Sequence, residues 1–202
     1  MARRSQHSLA EIKEMVLTAA EGIVEEEGSP ALKVRKIALE IGYTVGSIYM
    51  VFDNMADLIR QVKGRTLDDL AQELDQVADG DNVEQCIIEL AKAYVAFARR
   101  NYNRWRMIFE QCHEEDDEIP EWYKEKVTGM FERIEKLFAS LGPHRSEEQT
   151  RLAARALWSG VHGACMLSVA GKFELTGMSD IEQVVITLVE NFLKGWVEQE
   201  QH

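Results

Sequence analysis

From Leu9 to Trp196 apolar residues recur at steps of three and four, and only three prolines interrupt the 202-residue chain. That period belongs to helices, and no Val/Ile/Thr-rich alternating segment or strand-turn-strand pattern competes with it, so the fold is expected to be all-α. With 46% hydrophobic residues the helices carry enough apolar surface to bury a core. Near the N-terminus Leu9, Ile12, Val16 and Ile23 are separated by Glu11, Glu14 and Glu21, so no secretory leader is expected. No run of eighteen apolar residues occurs, so neither a membrane span nor a membrane partner is expected. Cys86, Cys112 and Cys165 are odd in number and far apart, as suits reduced thiols in a cytoplasmic protein.

The first helix announces itself in Ser8-Leu9-Ala10-Glu11, which has the form of a capping box, and Gly28 ends it. After the Ser29-Pro30 turn comes the most informative stretch, Val34 to Phe52. Two short helices crossing steeply need a small residue at their contact, which Ala38 supplies. They also need a turn residue that tolerates positive φ, which Gly42 supplies four positions later. Ile37, Ile41, Ile48 and Val51 form the wedge between them. Thr44 caps the second short helix, whose first turn of Val45, Gly46 and Ser47 is small enough to approach base edges. Lys33, Arg35 and Lys36 gather at the start of the first, where they can meet phosphate.

A formal charge of −12 runs against DNA binding, but it is unevenly spread. Residues 1–65 balance nine Lys/Arg against nine Asp/Glu, whereas the rest of the chain sets 14 basic residues against 26 acidic ones. Two halves with different electrostatics suggest a reader and a regulator.

Gly42 through Phe52, with Ser47-Ile48-Tyr49 inside it and Asn54 and Leu58 after it, resembles the signature of TetR-family repressors. The resemblance spans about residues 9–70. It implies an N-terminal three-helix helix-turn-helix domain over 8–70, its motif at about 33–52, joined by a long fourth helix to a larger helical domain for ligand binding and dimerisation. Three positions depart from the family pattern: Val51 stands for a usual His, Met55 for a Lys that meets phosphate, and Met50 for a frequent aromatic, read as a packing change. Losing that Lys shifts backbone contact onto Tyr49, Lys33, Lys36, Arg3 and Arg4. Asn54, with Asp57 three positions on, still has the form of a cap for a helix through Val77, the lever between the two domains.

Asp79-Gly80-Asp81-Asn82 breaks that helix and puts the regulatory domain at 80–202. Helices follow through Ile87 to Ala98, Trp105 to Phe109, Trp122 to Phe138, Ser146 to Gly171 and about Ser179 to Trp196. Gly160, Ala164 and Ser168 invite close helix approach, and Leu188, Phe192 and Trp196 would otherwise leave an apolar stripe in water. These six are therefore assigned to a homodimer interface. Trp158-Ser159-Gly160-Val161-His162-Gly163 resembles the Trp-x-x-x-His-Gly element of a TetR C-terminal domain of the WHG type, which implies a helical sensor.

Candidate effector contacts are Tyr94, Phe97, Trp105, Phe109, Trp122, Met130, Phe131 and His162, although the same side chains could simply fill a core. Cys112-His113 beside Glu114 and Asp116 has no second Cys or His at ligand spacing, so no metal is expected. No nucleophile elbow, phosphate loop or nucleotide fingerprint is present, so neither an enzyme nor a cofactor is expected. The function that follows is a DNA-binding transcriptional regulator, a repressor released from operator DNA by a small apolar effector. Val51, Met55 and the acidic charge leave open a helical binding module that has lost DNA binding.

Overall fold

The computed structural model describes residues 7–110, 119–169, 171, 175, 177 and 180–198. Arg3, Arg4, the Cys112–Asp116 segment and Ser179 lie outside the described residues. Nine α-helices and one 3-10 turn account for the secondary structure described, with no strand: α1 Leu9–Glu27, α2 Val34–Ile41, α3 Val45–Ile48, α4 Met55–Asp75, α5 Val83–Arg100, α6 Tyr102–Ile108, α7 Glu121–Leu141, α8 Glu147–Val169 and α9 Ile181–Glu198. Among the described residues no helix is long and apolar enough to cross a membrane.

Capping chemistry sets most of these boundaries. Ser8 accepts from the Glu11 amide while the Glu11 carboxylate accepts from the Ser8 amide, and Gly28 closes α1 at φ 80°. Asn54 accepts from the Asp57 amide at 2.7 Å and Asn82 from the Gln85 amide at 3.0 Å. Ser146 and Gln149 form a second reciprocal box. The last helix is capped by Asp180, which accepts from the Gln183 amide.

The helices form two compact units. The first takes the described residues up to Leu67 together with Asn101–Tyr123; the second takes Asp68–Arg100 and those from Lys124 onward. By packing, α6 groups with the N-terminal helices although it lies beyond residue 80. Asn101 ends α5, and α6 then returns to α1, burying Trp105 completely and placing Met107 in the same core as Val16, Ile37, Ile48 and Val62. Polar contacts fix the return: the Asn103 amide donates to the Glu25 carbonyl, Arg104 pairs with Glu21, and Ser29 donates to the Glu110 carboxylate. Lys63, only 6% exposed, donates to the Glu110 carbonyl, so this buried ammonium is not left unpaired.

In the second unit α5, α8 and α9 pack on one another, with Val95, Leu157, Val185 and Leu193 in the interior. Helix α7 adds Phe138, fully buried and edge-on to Phe192 and Trp196. Arg133 of α7 reaches the end of α4, donating to the carbonyls of Leu74 and Val77 and to the Asp79 carboxylate. The Leu74 carbonyl lies in the last turn of α4 and also accepts from the Val77 amide at 3.1 Å, and Val77 follows the helix end.

Candidate nucleic-acid interface and aromatic site

The turn between α2 and α3 has the chemistry its sequence calls for. Gly42 sits at φ 72°, in the left-handed region, and the Tyr43 amide donates back to Ala38 at 2.9 Å. Tyr43 is itself held by His7, whose Nδ1 lies 2.6 Å from the phenol oxygen. Thr44 caps α3 by accepting from the Ser47 amide, and the Thr44 and Ser47 hydroxyls hydrogen-bond to each other at 2.9 Å. Ile37 and Ile48 are completely buried and Ala38 nearly so, which locks the two helices together.

This packing decides which residues can face a ligand. Thr44, Gly46 and Tyr49 are exposed, as are Lys33 and Arg35 at the head of α2. Val45 is half-buried and packs partly against the core. Ser47 is half-buried and tied to Thr44. Lys36 pairs with Glu27, so a phosphate would compete with that carboxylate for it. Val51 and Met55 are absorbed into the periphery of the core. Met50 is no packing residue, because it stands 68% exposed.

The eight candidate effector contacts divide between the units. Trp105, Phe109 and Trp122 belong to the first; there Trp105 meets Phe109 edge-on and Trp122 meets Tyr123. Tyr94, Phe97, Met130, Phe131 and His162 belong to the second. Within it the Tyr94 hydroxyl lies 2.9 Å from His162 Nδ1, and the imidazole stacks on Trp158 at 5.1 Å. Phe131 meets Trp158 edge-on at 5.6 Å, and the Arg155 guanidinium lies 4.6 Å from the Phe131 ring while pairing with Glu135. Burial holds His162 below the usual histidine range, so the ring is neutral at pH 7. The result is one polar pair in an aromatic setting. Trp158 joins this cluster because Trp158 and His162 are four residues apart and share a helix face.

Four of the six residues assigned to a dimer interface also pack within the chain. Leu188 seats a methyl 2.9 Å from where a Cβ on Gly160 would stand. Trp196 is 9% exposed, packed on Phe138 with Arg145 4.6 Å over its ring, and Phe192 leans on Phe138. Ala164 and Ser168 are half-buried. Helix α8 also carries an exposed stripe of Leu152, Ala156, Ser159, Gly163 and Met166, at steps of four and three.

Among the described residues no group of three His, Cys, Asp or Glu could hold a metal. The Cys165 thiol is pushed up to about 12 by burial, which leaves it protonated and unreactive.

Comparison with known proteins agrees with this geometry. Residues 16–62 match the profile of bacterial regulatory proteins of the tetR family, and residues 87–192 match that of the tetracyclin repressor-like C-terminal domain. An uncharacterized HTH-type transcriptional regulator of Mycobacterium tuberculosis is 27% identical over 159 residues, covering 79% of this chain and 71% of that protein. The HTH-type transcriptional repressor BepR of Brucella suis is 25% identical over 172 residues, covering 80% and 82%. A Rhodococcus sp. RHA1 protein of unknown function shares the fold at a TM-score of 0.78 with 17% identity, over 96% of this chain and 98% of that one. The profiles fall on the capped helix-turn-helix and on the helices that hold the Tyr94–His162 pair, and the chain belongs to the TetR family of non-enzymatic, DNA-binding transcriptional regulators.

Proposed function

We propose that this regulator is a homodimeric repressor that leaves its operator when a small, largely apolar effector binds among the aromatic side chains of its second unit. The observation that carries the effector is the Tyr94–His162 hydrogen bond set against Trp158 and Phe131. A neutral imidazole and a phenol can orient one polar group of a guest whose remainder stacks on the rings. The Brucella relative's name supports repression.

The reader is the domain over 8–70, against which α6 packs, and the effector site lies in the second unit. Lys33, Arg35 and Tyr49 meet phosphate, and α3 enters the major groove with Thr44 and Gly46 foremost. Two copies joined along the α8 stripe of Leu152, Ala156, Ser159 and Gly163 present two such helices about 34 Å apart, one turn of duplex. Added Cβ atoms at Gly163 would meet nothing within 4 Å in the single chain, so that glycine leaves room for a partner helix. Helix α4 is continuous from one unit into the other, and an effector that prefers one setting of it by a few kcal/mol releases the operator.

Selection of the full-length protein on a random-sequence DNA pool tests this. An inverted repeat is expected, bound with a steep salt dependence. A reporter driven through that repeat should be silenced by the protein, and members of a panel of small aromatic and aliphatic compounds should restore it. Enrichment of no inverted repeat at low salt refutes the reading, and activation of the reporter refutes repression.

A further inference from the structure

The outward face of α3 carries one residue whose exposure nothing inside the chain explains. Gly46, Tyr49 and Met50 stand at i, i+3 and i+4, hence on one side of the turn, while Val45 and Ile48 point to the core. The turn continues past α3, since the Tyr49 amide donates to Val45 and the Phe52 amide to Ile48. Tyr49 is 44% exposed and Met50 68%, whereas Ile48 just before them, in the wedge, is fully buried. A Cβ on Gly46 would meet only the Thr44 hydroxyl at 3.7 Å, so the surface one turn before Met50 is open.

From this placement we infer that Met50 is a base-reading residue and that it selects thymine. The inference rests on the reading above, in which this face enters the major groove. Of the groups that base pairs present there, only the thymine C5 methyl is apolar, and a flexible thioether is the side chain on this face able to cover it. Gly46 lets the base edge come close, and Tyr49 beside it holds the backbone. Being uncharged, Met50 contributes specificity without adding to the salt dependence, unlike Lys33 or Arg35.

The test uses the full-length protein and its selected operator, with each thymine of a half-site replaced in turn by deoxyuridine, which removes only the methyl. At one thymine per half-site the wild type should lose about three- to fourfold, the fold-change that one lost CH2 burial of about 0.8 kcal/mol corresponds to. Met50→Ala should bind the thymine operator that much more weakly, be indifferent to deoxyuridine there, and keep the wild-type salt slope and melting temperature. If no deoxyuridine substitution weakens the wild type, or if Met50→Ala retains the full penalty, the inference is overturned while operator recognition stands. A pool that yields no inverted repeat overturns both together.

Discussion

Arg133 is the sharpest place to test how the second unit holds the end of α4. Its guanidinium donates at 2.6 Å to the Leu74 carbonyl, also to that of Val77, and at 2.7 Å to Asp79, and its Nη2 lies 3.7 Å from the Cys86 sulfur. The Asp79 side chain is 87% exposed, so that ion pair contributes almost nothing. The carbonyls matter more, because a hydrogen bond from a charged donor is worth about 1.5–3 kcal/mol when water is kept out. The Arg133 side chain is 25% exposed and water can replace part of each bond, which brings the two together to about 2 kcal/mol. Arg133→Met keeps the aliphatic stem and removes only the donors, so it isolates this quantity. For a domain of this length about 2 kcal/mol lowers the melting temperature by roughly 4–8 °C. Thermal unfolding followed by circular dichroism should show that drop for Arg133→Met, little change for Asp79→Asn, and weak sensitivity of the difference to salt. An Asp79→Asn variant as unstable as Arg133→Met would refute the assignment to the carbonyls, and so would an Arg133→Met variant indistinguishable from wild type.

The other expected outcomes concern function and pH. Lys33→Ala should weaken binding to all operator variants by a similar factor and flatten the salt slope by about one unit, measured by fluorescence anisotropy at several salt concentrations. Leu152→Glu with Met166→Glu should yield folded monomers in sedimentation, because both residues are exposed at 69% and 41%. Glu at Trp196 should instead destabilise the chain itself, since that ring is 9% exposed. His162 is held below its ordinary value of 6.5 by burial, so the unfolded chain takes up its proton first as pH falls. Stability should therefore decline below about pH 6.5, and His162→Gln should show a shallower decline in urea titrations from about pH 7.5 to about pH 5.5.

Local chemistry was the legible part. Ser8 with Glu11, Thr44, Asn54 and Ser146 with Gln149 each cap the helix their sequence announces, because a cap depends on residues three apart and on nothing else. Gly42 was equally readable, since its positive φ is a property of one residue. Helical phase was harder. Val45 reads as a base contact because it is small, yet its position on α3 also sets part of it against the core, and Met50 reads as packing when it faces out. Long-range return was not legible at all. Trp105 reads as well in a regulatory core as in a reader core, and only the contact of α6 with α1 tells them apart. Trp196 likewise resembled a residue awaiting a partner chain until Phe138 of its own chain covered it.

The return of α6 to α1 also bears on how such regulators can be recombined. A cut after residue 70 or at the turn near residue 80 transfers the sequence signature to a new host but leaves α6 behind, and with it Met107 of the core that holds Val16, Val24 and Val62. A graft of that kind would start life with an open cavity in its core and with Lys63 deprived of its carbonyl. A working chimera has to carry two separate stretches of chain across, up to Leu67 and again from Asn101 to Tyr123, and to accept a foreign α5 spliced between them. Exchange of residues up to Leu67 alone would therefore leave part of this unit's packing behind.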